Sequence, residues 1–254
     1  FISGFTGTNP SLTEGFWQTA LMGGAQASHI RVSEYTLNTI FVGTGGGRLL
    51  KVVNAHTTSP TVTLVSTGSS FPLGYISCVE LGASEDQILV TFSNYGVSSV
   101  WESLDGGSSW SIKDNDLPDM PVRWALYNPN NRNEVIVATD IGIWKTSDLN
   151  ETNPIWIPLP TSDGLANVRV DMLQIRQSDN LVIAATHGRG LFSSTIFQGG
   201  TCTATEVANS DQSATGSVTG TTGVEVAVTC DSGYSGGGSW TCSTGGNFTG
   251  TGCS

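Results

Sequence analysis

The sequence predicts an all-β fold, with four-stranded sheets repeated along most of the chain and a small disulfide-bonded β module after them. Three observations predict it. Of the 254 residues, 32 are Gly and only 12% are Asp, Glu, Lys or Arg. Helices take their wet faces from charged residues, whereas this chain uses Thr, Ser, Asn and Gly, which suit strands and tight turns. An internal repeat is the second observation, with Val42, Val90, Val137 and Ala184 spaced 48, 47 and 47 residues apart. The third is that four of the five cysteines lie between Cys202 and Cys253.

Each unit of the repeat reads as four short strands. The central one is apolar: Thr39-Ile-Phe-Val-Gly-Thr44, Gln87-Ile-Leu-Val-Thr-Phe92, Glu134-Val-Ile-Val-Ala-Thr139 and Leu181-Val-Ile-Ala-Ala-Thr186. A Gly-containing turn follows, then a strand at Arg48–Val52, Ser99–Ser103, Ile143–Thr146 and Leu191–Ser194. These turns suit hairpins that need positive φ. Ahead of each central strand comes another, at Ile30–Val32, Tyr75–Val79, Val122–Trp124 and Val168–Val170. A fourth starts at Val62, Trp110 and Trp156. A period of roughly 40–50 residues with four strands per unit is the signature of β-propeller blades. Packing blades radially covers both faces of each sheet and leaves only short edges.

The expected organisation is a propeller over residues 1–197, with blades near 30–66, 75–117, 122–159 and 168–197. Residues 198–201 read as a linker and 202–254 as the disulfide module. Residues 16–21, with Phe16-Trp17, read as an outer strand one period before Val62. That strand either completes the last blade, closing a four-blade ring, or ends a preceding blade. With no initiator Met, the favoured expectation is four visible blades of a larger ring.

Charge narrows the function classes. The net charge is −11 with only 10 Lys and Arg, and no basic stripe occurs. Nucleic acid and anionic membrane surfaces are therefore poor partners. No apolar run approaches the roughly 18 residues of a spanning helix. Clustered, even-numbered cysteines imply disulfides and an oxidising, extracellular or cell-surface setting. No His/Cys/Asp set has metal-ligand spacing, and no Gly-rich loop leads into Lys-Ser or Lys-Thr, so neither metal nor cofactor is expected.

Ser103-Leu-Asp-Gly-Gly-Ser-Ser-Trp110 resembles the Asp-box, or BNR, repeat, Ser-x-Asp-x-Gly-x-x-Trp. The family places this box at the turn between the third and fourth strands of a blade, where it falls here. The resemblance gives Ser103, Asp105, Gly107 and Trp110 structural roles. Asp105 would accept from the turn's own N–H groups, and Trp110 would pack between blades. Ser147 to Trp156 keeps only the ends of the motif. Ala185-Thr-His-Gly-Arg-Gly-Leu-Phe192 is similar to segments in closing blades of bacterial BNR proteins and of xyloglucanase-like and sortilin-like propellers. Such propellers include sialidases, xyloglucanases, sorting receptors, assembly factors and binding modules, so the resemblance implies fold more than function.

The stretch Val226-Ala-Val-Thr-Cys-Asp-Ser-Gly-Tyr234, with Gly238, Cys242, Gly246-Asn-Phe248 and Cys253, resembles the sushi (complement control) repeat. Four cysteines allow three connectivities. The resemblance selects Cys202–Cys242 and Cys230–Cys253. Phe248 stands where the family usually has Trp, and the family's Pro near the last Cys is absent. Asn150-Glu-Thr152 and Asn247-Phe-Thr249 are N-glycosylation sequons on expected loops.

Five residues are candidate ligand contacts. Arg31, Arg123 and Arg169 recur near the starts of innermost strands, where a ring of cations could meet an anion or else bond the next blade. His187 and Arg189 sit in a Gly-flanked hairpin. Asp140 and Asp171 are the carboxylates that could pair for glycoside hydrolysis, which needs a separation of roughly 5–10 Å. Sialidases use three arginines and a Tyr nucleophile, but their Arg-Ile-Pro segment is absent here. Cys78, on an inner strand, reads as a buried thiol. With no assembled catalytic set in view, no catalytic residue is assigned. The expectation is an extracellular, non-catalytic binding or adhesion protein, its loops presented to a glycan or a cell-surface or extracellular protein. A glycoside hydrolase of sialidase-like or xyloglucanase-like type and a structural surface component are the alternatives.

Overall fold

The computed structural model describes residues 21–57, 59–66, 71–160, 165, 167–197, 202–222, 224–243 and 246–254. The strand expected at residues 16–21 and the linker expected at 198–201 lie almost wholly outside them. The chain forms two compact units. One takes residues up to Tyr127 with Asn133–Met172 and Thr186–Arg189. The other takes Asn128–Arg132, Leu173–Ala185 and Gly190–Ser254.

The fold is all-β and propeller-like, built from consecutive antiparallel sheets. The first holds β1 (Ala27–Val32), β2 (Ile40–Thr44), β3 (Leu49–Val53) and β4 (Thr61–Leu64), side by side in chain order. The second repeats that order with β5 (Ile76–Leu81), β6 (Ile88–Phe92), β7 (Val100–Ser103) and β8 (Ser111–Ile112). The third does so with β9 (Val122–Asn128), β10 (Asn131–Thr139), β11 (Gly142–Thr146) and β12 (Ile157–Pro158). Val42 pairs with Leu50, Val90 with Trp101 and Val137 with Trp144, so the sequence repeat is also a register repeat. Two refinements follow. Trp110 and Trp156 precede their short outer strands rather than starting them. The innermost strands run longer than expected, because Asn128 and Leu81 extend the pairing.

Apolar residues on both faces hold the sheets together, which a sheet covered on two sides requires. Phe41, Leu49 and Val65 pack with Ile76, Val79, Leu81, Ile88, Val90 and Trp101 of the second sheet. The opposite face of that sheet, through Leu89 and Val100, packs with Val122, Ala125, Tyr127, Val135 and Trp156. Each buried Leu, Ile or Val contributes roughly 1.5–3 kcal/mol to this stacking.

In the second unit, β13 (Val170–Arg176), β14 (Leu181–Thr186) and β15 (Gly190–Ser194) form a three-stranded sheet, with β13 beginning in the first unit. The C-terminal module holds β16 (Glu225–Val228), β17 (Gly238–Cys242) and β18 (Phe248–Thr249). Its core gathers Val207, Val218, Val228 and Phe248 around Cys202 and Cys242. Two disulfides, Cys202–Cys242 and Cys230–Cys253, close it. So small a core needs them.

Candidate functional site

Strand direction gathers the candidate side chains. Arg123 stands near the start of β9, and its hairpin partner β10 ends at Thr139, one residue before Asp140. Arg123 Nε–H therefore donates to Asp140 Oδ1 at 2.7 Å. Arg169 and Asp171 flank the start of β13. The β14 strand ends beside them, and His187 N–H donates to the Arg169 carbonyl at 2.9 Å.

Asp171 is the hub of this cluster. Its Oδ1 accepts from Arg169 Nε at 2.6 Å and lies 4.0 Å from Arg123 Nε. Its Oδ2 lies 3.5 Å from His187 Nδ1. Arg123 and Asp140 are about three-quarters covered, while the His187 side chain is 69% exposed. Arg189 is exposed and takes no hydrogen bond or ion pair among the described residues. Gly188 and Gly190, at φ +85° and +80°, supply the left-handed backbone that sets His187 and Arg189 on the hairpin. Ile141 and Met172, next in sequence to the two aspartates, are 47% and 40% exposed.

Arg31 is engaged elsewhere. Its Nη2 donates to Glu80 Oε1 on β5 at 3.1 Å and lies 4.0 Å from Glu34. Arg31 thus pairs with an acid on the next innermost strand, whereas Arg123 bonds Asp140 of its own sheet and Arg169 bonds Asp171 two residues on. The structure brings Arg123, Arg169 and His187 together around Asp171, and it commits Arg31 to Glu80.

The turn from Ser103 to Trp110 is locked from within. Asp105 Oδ1 accepts from Ser109 N–H and Ser103 Oγ–H, both at 2.8 Å, and Oδ2 accepts from Ser109 Oγ–H at 2.6 Å. Those donors hold its carboxyl at about 2. Gly106 and Gly107 take φ of +70° and +91°. Trp110 Nε1–H donates to the Val65 carbonyl at 3.0 Å, and its ring lies 4.7 Å from that of Phe71.

Two polar features had no signal in the sequence. His29 packs edge-on to Trp124, with ring centroids 4.9 Å apart. Burial and the Arg31 charge push it down to about 4. Glu102, nearly fully buried, accepts from Tyr127 Oη at 3.0 Å and Gln87 Nε2 at 3.2 Å, with Lys113 Nζ 3.8 Å away. Burial raises its carboxyl. Glu102 stands between Trp101 and Ser103 in a short strand, where only the presence of the next sheet reveals its burial. Cys78 is buried and free, and burial drives its thiol far up.

Among the described residues, no group of three or more His, Cys, Asp or Glu could hold a metal ion. No helix there is long and apolar enough to cross a membrane.

No protein-family model and no curated protein matches the chain. Solved structures do. A GH74 enzyme from Niastella koreensis is similar at a TM-score of 0.51 and 10% identity, over 90% of this chain and 38% of that one. An ancestral GH74 enzyme is similar at 0.49 and 13%, over 68% and 23%. The GH74 xyloglucanase of Xanthomonas campestris is similar at 0.48 and 15%, over 74% and 31%. This chain spans less than half the length of each. At 10% identity the likeness to the Niastella koreensis enzyme is one of fold.

Proposed function

We propose that the chain is an extracellular, non-catalytic binding module, and that its ligand, a glycan, meets the Arg123–Asp140–Arg169–Asp171–His187 cluster with Arg189 at its rim. One observation carries this reading. Both candidate carboxylates are already held by guanidinium groups, at 2.7 Å for Asp140 and 2.6 Å for Asp171. They are fixed hydrogen-bonding groups rather than acids presented to a bond. An alternating set of donors and acceptors suits sugar hydroxyls. The two disulfides support an oxidising compartment. The locked turn at Asp105 supports assignment of Ser103–Trp110 as an Asp-box, and the module's cysteine order supports a sushi-like unit.

A hydrolytic reading has one observation in its favour. Asp140 and Asp171 approach the same Arg123 Nε, at 2.7 and 4.0 Å, so they are close enough for paired-carboxylate chemistry. One experiment separates the two. The chain is titrated calorimetrically with a panel of neutral and acidic polysaccharides, and reducing ends are assayed in parallel. Saturable binding without new reducing ends is expected. Asp171→Asn or Arg169→Ala should weaken it about tenfold or more, since each removes a charge-assisted hydrogen bond. Release of reducing ends that Asp140→Asn abolishes would replace binding with hydrolysis.

A further inference from the structure

Arginines in this chain are held in two ways. Arg176 gives both Nε and Nη2 to Asp179, at 2.8 and 2.5 Å, and Arg31 gives Nη2 to Glu80 at 3.1 Å. Their outer N–H groups are thereby spent. Arg123 and Arg169 are held from behind. Each donates through Nε alone, to Asp140 and to Asp171. Both Nε atoms lie within 4.0 Å of one Asp171 oxygen, so the two guanidinium groups stand side by side. Neither Nη edge has a hydrogen-bond partner among the described residues. Arg189, two residues beyond His187, is exposed and engaged by nothing there. Asp140 and Asp171 balance Arg123 and Arg169, which leaves Arg189 as surplus positive charge on a chain of net charge −11.

We propose that these three arginines form an anion clamp, and that the sugar bound there carries a carboxylate or a sulfate. This inference rests on the glycan-binding reading above and narrows it. The Nη edge of a guanidinium presents two parallel N–H groups, spaced for two oxygens of one anion. A neutral hydroxyl uses only one of them. Because the aspartates already fix both guanidinium planes, an anion meets ordered donors and the entropic cost of binding falls. Arg189 adds charge that no acid of the cluster offsets. The acidic remainder of the chain repels polyanions at long range, but salt near 0.1 M screens that repulsion beyond about 10 Å. The clamp therefore suits a sugar with one or a few anionic groups rather than a densely charged polymer.

Calorimetric titration of the whole chain with matched sugars tests the clamp. Trigalacturonate is compared with its methyl ester, and lactose 3′-sulfate with lactose, so each pair differs only in the anion. At least one anionic sugar should bind about tenfold or more tightly than its neutral partner, and the pair that shows the preference identifies carboxylate or sulfate. Raising salt from about 50 to about 300 mM should reduce that preference. Arg189→Gln should weaken the anionic sugar about tenfold. Arg176→Gln makes the same change in net charge at the far end of β13 and should leave affinity as it was. Arg169→Lys keeps the charge beside Asp171 but lacks the fork, so it should lose most of the preference. Equal affinity within both pairs overturns the clamp and leaves the glycan-binding reading standing, provided the neutral sugars or polysaccharides bind. A preference that Arg189→Gln and Arg176→Gln reduce alike also overturns it, since net charge would then be the cause. A chain that binds no sugar of either kind removes both the clamp and the reading beneath it.

Discussion

His29 shows how one side chain couples this fold to pH. An imidazole in water titrates near 6.5, but here burial and the Arg31 charge lower it to about 4. Its backbone hydrogen bonds at Ser77 and Val79 act the other way and are outweighed. The folded chain therefore resists protonation that the unfolded chain accepts. Stability from His29 is full above pH 6.5, declines as pH falls from 6.5 towards 4, and is spent below that. The loss amounts to about 3 kcal/mol at most. Between pH 7 and pH 5 the melting temperature of the first unit should drop by several degrees, and His29→Gln, which cannot take the proton, should flatten that drop. An equal drop in the variant would assign the effect to other groups. Asp105 acts in the same direction at lower pH. Its turn donors favour the carboxylate, so its contribution is complete above the usual carboxylate range and fades only as pH approaches 2.

At the scale of an element, the Ser103–Trp110 turn joins two sheets through backbone as well as side chains. Gly107 has φ +91°, and a Cβ placed there would lie 2.4 Å from the Val65 carbonyl oxygen. Carbonyl backbone cannot swing aside as a side-chain tip can. Gly96 has a similar φ of +74°, yet nothing lies within 4 Å of its added Cβ. Gly107→Ala should therefore cost about 2–4 kcal/mol, and Gly96→Ala only about 1 kcal/mol. Chemical denaturation of the two variants checks the difference, and equal losses would mean that dihedral strain alone governs both. This turn was legible in the sequence because its chemistry is local: a Ser, an Asp, two glycines and a Trp within eight residues. The central strands were legible for a similar reason, since each is a short apolar run ending at a turn. Glu102 and His29 were not, because their surroundings arrive from other parts of the chain, Gln87 and Tyr127 for Glu102 and Ser77, Val79 and Trp124 for His29. The same limit applied to the candidate cluster. Sequence supplied Arg123, Asp140, Arg169, Asp171 and His187 separately, but strand direction made Asp171 their common neighbour and turned Arg31 towards Glu80.

For the molecule as a whole, stacked sheets make stability a nearest-neighbour property. The second sheet has cover on both faces, and every residue of β6 is buried. The first sheet has one sealed face and one on which Ile30 and Val32 stand open. Repetition of sequence thus does not give repetition of stability, and period alone could not have ranked the sheets. The rank follows from which faces have partners. Local opening should be easiest where apolar contacts are fewest, so exchange rates ought to grade across the first unit. Amides of Ala27–Val32 should exchange first. Those of Ile88–Phe92 should exchange last, at a free energy near that of global unfolding. Val90→Ala, which opens a cavity between the first and second sheets, should cost about 2–3 kcal/mol and speed exchange in both sheets together. If β1 and β6 instead exchanged at one common rate before and after that substitution, the first unit would open as a single block, and its sheets would not act as separable layers.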